Sequence, residues 1–428
     1  MIPFINLHYP RIKAFCIFFI ILFVSFKTFG QAAKIDSSGM VTLRLDPQNA
    51  RGANVSQVFD DVKFIPLETT KESLFGRIND LQIVNNQFVI FDYDTRAVLI
   101  FAADGKFKGK IDASRIPQDE ADKTKTEFYG YRIVKENKDS VIAIHSGKYF
   151  FYFDFNGKML KKVLNKDATA IFNKQYEFAN KETTVRPFFI QKKGKDSTYY
   201  ELAILNKTKK DTLPYFPFSV KRYQTDEFLG GAAFYDSGVK NELFFVNVYS
   251  YNLYKITPDK LSLAYRIIFP ANNSFPNDFM DNPIYIKKRL EYFRKNTKVF
   301  YTINNTYQIG DFLYLQMRSM GYDKELKKAI IYNLKTTELI SLQDLEPDSL
   351  SSFLPVTDAG AFYEFSNKGF HLYKEGYFYT SYSSLAMFKF KEQLGDKHDK
   401  FSPLMTEYFK TQDRKANPVI IQLKPKKH

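Results

Sequence analysis

A hairpin-like pattern recurs in the chain at an interval of about fifty residues, and this recurrence constrains the fold more than any other feature. Segment 97–111 reads AVLIFAADGKFKGKI, and segment 149–163 reads YFFYFDFNGKMLKKV. In each, a dense apolar run is followed by an Asp-Gly or Asn-Gly pair and then by a basic strand, which is the pattern of a tight β-hairpin. Phe101 aligns with Phe153, 52 residues later. A chain with such a period is predicted to be a repeat architecture.

Weaker copies of the unit continue along the chain. The position equivalent to Phe101 falls on Leu205, Ile256, Leu334 and Phe390. A second apolar strand precedes most of these positions, as in QFVIFD (87–92). Three or four antiparallel strands per fifty residues are the content of one propeller blade, and apolar runs on both faces suit blades packed between neighbours. The sequence therefore predicts an all-β protein, a six-bladed β-propeller with about four antiparallel strands per blade.

One interval is longer than the others and contains a helical pattern. Before Leu334 the chain reads PIYIKKRLEYFRKNT, in which Ile286, Leu290 and Phe293 have the spacing of one helix face. We expect a short helical insertion near residues 280–298, lying on one face of the disc. Its alternative roles are packing over the propeller and lining a binding site.

The acidic triplet Asp92-Tyr93-Asp94 raises the question of a calcium loop. The loop pattern requires glycine at its sixth position, where this chain has Ala97. The segment is therefore interpreted as a turn between two strands, and no metal ligand is predicted.

The first thirty residues have the pattern of a signal peptide. Arg11 and Lys13 precede an apolar run over 14–26, and Thr28 and Gly30 are small residues ahead of an expected cleavage between Gly30 and Gln31. The alternative is an uncleaved membrane anchor. After cleavage the protein would be exported, periplasmic or extracellular, with no stable membrane span. The sole cysteine lies in the removed segment, so disulfides and a cysteine nucleophile are excluded.

The charge of the chain is strongly positive. The net charge is +15, and three basic residues and no acidic ones lie in residues 1–30, which leaves +12 after cleavage. Because the lysines are scattered in short runs, a solvated surface is favoured over a dedicated patch. An anionic surface polymer stays open as a partner, whereas export argues against nucleic acid.

Catalytic motifs are absent from the sequence. It contains no H-E-x-x-H, no G-x-S-x-G and no phosphate-binding glycine loop. We predict no cofactor and assign no catalytic residue. A pair of carboxylates of the glycosidase type is left open as an alternative.

Aromatic and arginine residues near the first strand of several blades offer the candidate site. They are expected around the mouth of the channel, where rings stack on sugar or peptide faces; the alternative is a packing role in the innermost strands. The predicted ligand set is Tyr129, Arg132, Tyr235, Arg318 and Tyr363.

The chain resembles a bacterial family of exported six-bladed β-propellers related in pattern to NHL-repeat proteins. The likeness rests on VKFIPLETTKESLFGRINDLQI (62–83), on NLYKI (252–256) and on the closing NPVIIQLK (417–424). It implies a propeller over 59–425, an irregular lead-in over 31–58, and closure of the ring by both chain ends. A glycine-rich loop typical of the family is missing at 112–131.

The function predicted from these features is a secreted, non-enzymatic binding or scaffolding module of the cell envelope, with a glycan or peptide as ligand. The alternative is a carbohydrate-active propeller hydrolase or lyase that uses carboxylates at the channel mouth. These two functions differ in the number of carboxylates that the channel must present.

Overall fold

The computed structural model describes residues 32–428, except 118–127, 137–138, 166–175, 179, 181, 194–195, 221–224, 230–232, 322, 324, 361–362, 364–368 and 396–400. The predicted signal peptide and its cleavage site lie outside the described residues. Six sheets of four or five strands are formed, and each is one blade of a β-propeller. The prediction of six blades with mostly four antiparallel strands is confirmed.

Each blade is numbered in chain order and is built outward from the channel, with its first strand innermost. The strands of blade 1 are Asp80–Val84, Gln87–Asp92, Ala97–Ala102 and Phe107–Ile111. Those of blade 2 are Arg132–Glu136, Asp139–Ser146, Tyr149–Phe153 and Met159–Leu164. Those of blade 3 are Tyr176–Glu177, Thr183–Lys193, Asp196–Asn206 and Asp211–Phe218.

The second half of the ring follows the same order until its last blade. The strands of blade 4 are Ala233–Asp236, Leu243–Val246, Asn252–Ile256 and Leu261–Ile268. Those of blade 5 are Thr302–Ile309, Phe312–Arg318, Ala329–Asn333 and Leu339–Glu346. Those of blade 6 are Leu372–Lys374, Tyr377–Tyr382, Val419–Pro425 and, as the outermost strand, Phe59–Pro66.

Both ends of the propeller meet in blade 6. Phe59–Pro66 pairs antiparallel with Val419–Pro425, from Val419 opposite Pro66 to Pro425 opposite Phe59. The expected closure is therefore present, and it joins strands more than 350 residues apart in sequence. Closure of the ring removes the open edges that a linear array of blades would expose.

The segment ahead of blade 6, expected to be irregular, contains two short strands. Val41–Arg44 adds parallel to the outer strand of blade 4, and Arg51–Asn54 adds parallel to that of blade 5. Before them, the amide of Ala33 donates to the carbonyl of Pro214 on the outer strand of blade 3, at 2.7 Å. We call residues 33–54 the rim belt. Their backbone groups form hydrogen bonds with the edges of the sheets. These long-range pairings stabilise the segment and cannot be inferred from its local sequence.

The apolar core lies between the blades. Leu99 and Phe101 of blade 1 pack toward blade 6, whereas Val98 and Ile100 of the same strand pack toward blade 2. Neighbouring side chains of a strand point to opposite faces of the sheet. A strand whose two faces are both buried therefore has a continuously apolar sequence. Removal of this surface from water is the main stabilising contribution, at roughly 25 cal/mol per Å².

The Asp-Gly and Asn-Gly turns have the backbone that the sequence predicts. Gly105 has φ of +88° and Gly157 has φ of +78°, both in the left-handed region that glycine adopts freely. At Gly105 a Cβ atom would also lie 2.2 Å from the carbonyl oxygen of Pro66. Any residue with a Cβ atom would clash with the closing strand at this position, so the turn requires glycine.

The assignment of Phe390 to a blade strand is wrong. Phe390 lies in the helix Ser384–Gln393, and the third strand of blade 6 is Val419–Pro425 instead. The Ser383 side chain caps the helix by accepting from the amide of Ala386, and Ala386, Met387 and Phe390 form its buried face. Their spacing follows a helical period, which the dense apolar run concealed. A second helix, Pro403–Thr411, follows it before the last strand.

The insertion before blade 5 has helical content as expected, although less than its pattern indicates. Ala271–Asn273 and Pro283–Tyr285 are 3₁₀ turns, and the α-helix covers Arg289–Lys295. Ile286 precedes this helix and is 44% exposed, whereas Phe293 is buried. Further short elements are the helix Val55–Val58 and 3₁₀ turns at Pro47–Asn49, Ala113–Arg115 and Ser349–Ser351.

A buried ion pair fixes this insertion. The Arg289 guanidinium lies 2.8 Å from the carboxylate of Asp226 and also donates to the carbonyl oxygens of Phe279 and Met280. Both charged side chains are almost fully shielded from solvent. Burial raises the pKa of Asp226, but hydrogen bonds from the Lys287 amide and from Arg289 outweigh it, and the pKa lies below its ordinary value. The pair is therefore ionised and tied to the backbone.

Candidate functional site

The long connections of the propeller lie on one face of the ring. Strands within a blade alternate in direction, so the links from one blade to the next and those between second and third strands leave on the same side. The insertion 269–301 and the helical segment 383–418 are both connections of this kind. We call this side the upper face. The first residue of each innermost strand is consequently near the upper face.

A cavity of about 510 Å³ occupies the channel between the innermost strands of blades 1, 4, 5 and 6. This volume lies within the range of small-molecule sites in proteins, about 300–1,000 Å³. Its polar lining is rich in side-chain amides and rings: Asn79, Asp80, Gln82, Tyr235, Asn304, Asn305, His371, Tyr373 and Lys374. Among the described lining residues, Asp80 is the one carboxylate.

Asn305 shapes the wall of the cavity on blade 5. The strand pairing shifts register between Asn304 and Tyr307, and Asn305 itself has φ of +41°. Its side-chain amide donates to Gln316 Oε1 at 2.9 Å and to the Phe370 carbonyl at 3.0 Å. A bulge of this type re-aims side chains and is common beside functional sites.

Asp80 and Gln82 form the wall on blade 1. The Gln82 side-chain amide lies 3.5 Å from the Asp80 carboxylate. Behind them the Tyr131 hydroxyl donates to the Val89 carbonyl at 2.6 Å. Burial and the nearby charge of Asp80 raise the pKa of Tyr131 well above its usual range, so it remains a neutral hydrogen-bonding group.

His371 provides an imidazole on blade 6. Its Nε2 lies 2.8 Å from the Ser381 hydroxyl, and its backbone amide donates to the Tyr379 carbonyl. The ring is half-buried and is oriented by this side-chain contact. Which partner donates in this contact depends on the tautomer of the ring.

Two residues of the predicted ligand set interact with each other. Tyr235 lines the cavity, and burial raises its pKa to about 12, although the Asn305 amide and the charge of Arg318 oppose this rise. Burial lowers the pKa of Arg318, and the hydroxyls of Tyr301 and Tyr235 oppose that change. The charge of Arg318 on blade 5 therefore acts on Tyr235 of blade 4, but Arg318 is not among the described residues that line the cavity.

The other three predicted residues lie elsewhere. Tyr129 is 61% exposed, and the Arg96 guanidinium lies 5.0 Å from the centre of its ring. The Arg132 guanidinium lies 5.9 Å from the centre of the Phe150 ring within blade 2. Tyr363 packs on Phe390 of the blade 6 helix, with ring centres 4.7 Å apart. Blades 2 and 6 therefore hold these residues at positions separate from the described cavity lining.

Most of the cavity lining was missed by the sequence prediction. The missed residues are polar positions in or next to first strands, as in NDLQI (79–83) and INNTY (303–307). The signal that identifies them is a cluster of polar residues in or just before the strand that precedes a blade's second strand. The prediction was based on aromatic residues, which in this chain occur both in the core and around the channel and so do not distinguish the two.

Two other carboxylates near blade 1, Glu68 and Asp92, have structural contacts. Glu68 accepts from the Phe107 amide at 2.8 Å and so ties the closing strand to the first hairpin. Asp92 is buried and accepts from the amide and hydroxyl of Thr95. Within the described parts of the chain, no group of three His, Cys, Asp or Glu residues has metal-binding geometry. No helix of the described residues is long and apolar enough to cross a membrane.

Comparison with known proteins gives a family and a fold. The profile of a family described as "Domain of unknown function (DUF4934)" matches residues 40–424. No curated protein matches the chain. A solved structure from Bacteroides fragilis NCTC 9343, named as an exported protein, is 12% identical with a TM-score of 0.59, over 90% of this chain and 99% of that one.

A second solved structure is more distant. It is a member of the DUF4221 family from Bacteroides vulgatus, 11% identical with a TM-score of 0.39, over 86% of this chain and 97% of that one. Sequence identities this low indicate at most a shared fold. The likeness to the Bacteroides fragilis structure supports the propeller architecture.

Proposed function

We propose that this chain, which belongs to the DUF4934 family, is an exported propeller that binds a neutral carbohydrate in its channel without chemically changing it. The observation that carries the proposal is the composition of the cavity wall. Side-chain amides and tyrosines from four blades surround a space of about 510 Å³. Amides both donate and accept, as sugar hydroxyls do, and rings cover the apolar faces of pyranoses.

The charge of the wall favours a neutral ligand over a charged peptide. Apart from the imidazole of His371, the acidic and basic side chains among the described lining residues are Asp80 and Lys374, which are opposite in sign. An anionic polymer would gain little from such a wall. The net charge of +15 resides elsewhere on the chain and does not define the cavity.

The number of carboxylates favours binding over hydrolysis. Glycosidases of the usual type need two carboxyl groups, about 5–9.5 Å apart, one as acid and one as base or nucleophile. Asp80 is unaccompanied by a second carboxylate among the described residues of the cavity wall. A binding site needs only the hydrogen-bonding groups and rings that are present.

The test is a screen of neutral and acidic glycans and of peptides on an array, followed by titration calorimetry with the best ligand. Asn304→Ala removes one amide from the wall and is expected to weaken binding at least tenfold. Asn277→Ala is the matched control, because Asn277 is exposed on the insertion and outside the cavity lining. Recovered ligand is analysed by mass spectrometry.

Three results would contradict the proposal. Exclusive binding of peptides or acidic polymers would refute the ligand class. Equal affinity of the Asn304→Ala and Asn277→Ala variants would refute the location. Cleaved ligand in the recovered material would support the hydrolase or lyase alternative instead.

A further inference from the structure

The outer strand of blade 2, Met159–Leu164, differs from the other outer strands in its exposure. All six of its residues are exposed, whereas each of the other five outer strands has at least two buried residues. Four of the six are large apolar side chains with 40–50% exposure: Met159, Leu160, Val163 and Leu164. Surface of this kind on an edge strand is a site at which another chain adds to the sheet.

The backbone of this strand is paired on one side. It pairs antiparallel with Tyr149–Phe153, and it is the last strand in the order of its sheet. Alternate amide and carbonyl groups of its other side therefore point away from the blade. No described strand pairs with these groups, so they can accept one further strand.

The fold already uses this kind of addition on its rim. The rim belt, residues 33–54, pairs with the outer strands of blades 4 and 5 and contacts that of blade 3. Where described, it begins at blade 3, so the outer strand of blade 2 is the next one around the ring. An added strand there would continue an arrangement that the propeller geometry already accommodates.

The charge of the strand indicates what the added segment carries. Residues 155–165 contain Lys158, Lys161 and Lys162 and no acidic residue. Lys161 pairs with Glu136 at 2.5 Å, and the Lys162 ammonium lies 3.8 Å from the centre of the Tyr149 ring. Opposite charges across neighbouring strands stabilise a pair, and like charges destabilise it.

This charge argues against a second copy as the occupant. Antiparallel pairing of two copies about a twofold axis in full register would place Lys161 of one opposite Lys162 of the other. An acidic strand would meet the same lysines favourably. Apolar residues at its ends would cover Met159, Leu160, Val163 and Leu164.

We propose that the outer strand of blade 2 binds an extended segment of another protein, which adds to the sheet as a fifth strand and carries acidic residues between apolar ones. Main-chain hydrogen bonds hold such a segment, and the side chains at alternate positions select it. This surface is separate from the channel, and its occupancy is independent of carbohydrate binding there.

The test uses synthetic peptides labelled with fluorescein and measured by fluorescence polarisation. The peptide VIEEVI places its glutamates opposite Lys161 and Lys162 in antiparallel register, and VIKKVI has the same apolar residues with the charge reversed. We expect VIEEVI to bind about tenfold more tightly than VIKKVI. Hydrogen exchange of Met159–Leu164 should slow when VIEEVI is bound.

Charge reversal in the protein supplies the second arm. The double variant Lys161→Glu, Lys162→Glu should prefer VIKKVI. Lys108→Glu is the matched control, because Lys108 is an exposed lysine on the outer strand of blade 1. It should retain the original preference, and circular dichroism checks that each variant is folded.

Each contrary outcome would overturn the proposal. Equal affinity for both peptides would show that the surface binds apolar peptides without selecting acidic residues. Absence of binding would exclude strand addition. Self-association of the wild-type protein that competes with VIEEVI would assign the surface to a second copy. None of these results bears on the glycan screen, so failure here leaves the channel proposal separately testable.

Discussion

Closure of the ring depends on one buried asparagine, and its removal should destabilise the whole propeller. Asn417 precedes the third strand of blade 6 and is fully buried. Its Oδ1 accepts from the Phe75 amide at 3.0 Å, and its Nδ2 donates to the carbonyl oxygens of Glu68 at 2.8 Å and Ser73 at 3.0 Å. These bonds join the last strand to the loop that follows the outermost strand of the same blade.

Replacement by alanine would leave these backbone groups without their partner. A buried donor or acceptor left unsatisfied costs about 1–3 kcal/mol. The Glu68 carbonyl keeps a bond from the Ser73 hydroxyl at 2.7 Å, so the Phe75 amide and the Ser73 carbonyl carry most of the cost. We expect Asn417→Ala to lower the free energy of unfolding by about 3 kcal/mol in total.

Calorimetry and urea titration measure this loss. An unfolding entropy of about 2.1 cal/mol/K per residue converts it to a fall in Tm of about 4 °C for a chain of this size. Lys415→Ala, an exposed change two residues earlier, is the control and should shift Tm by less than about 1 °C. Equal Tm values for the two variants would refute the role assigned to Asn417.

Two further predictions follow from the same structure. Gly105→Ala should cost roughly 1–3 kcal/mol more than Gly376→Ala, because the two glycines have φ of +88° and +89° but only at Gly105 would an added Cβ lie 2.2 Å from the Pro66 carbonyl oxygen; equal losses in urea titration would exclude the steric argument. The lowered pKa of Asp226 means that its ion pair with Arg289 contributes stability above the unfolded pKa, about 4, and loses it as pH falls through the folded value. The stability difference between wild type and Asp226→Asn should therefore be constant from pH 7 to about 5 and shrink below about 4; a difference that stays constant down to about pH 2 would contradict it.

The local patterns of the chain predicted the blades well where local chemistry decides the structure. The Asp-Gly and Asn-Gly turns require positive φ, which Gly105 and Gly157 adopt. Consecutive apolar residues such as those of Ala97–Ala102 need burial on both faces, which only neighbouring sheets provide. The same reasoning failed at Phe390, because a dense apolar run without clear alternation fits a helix as well as a strand.

The cavity wall illustrates what local patterns do not contain. Asn79 and Gln82 belong to blade 1, Asn304 and Asn305 to blade 5, and His371 to blade 6. Each is an ordinary polar residue in or next to the first strand of its blade until the ring closes. Tyr235 was predicted because it is aromatic, and it lines the cavity because blade 4 faces the same space.

The sequence by itself determined the repeated unit, the number of blades and the residues at which hairpins turn, because these depend on contacts between neighbours in the chain. Only the tertiary structure decided which polar side chains share the channel, how the rim belt pairs with blades 4 and 5, and that Met159–Leu164 is left exposed. These features depend on the angle and order of whole sheets around a closed ring. Such geometry is fixed by packing between distant segments and not by the pattern within any one of them.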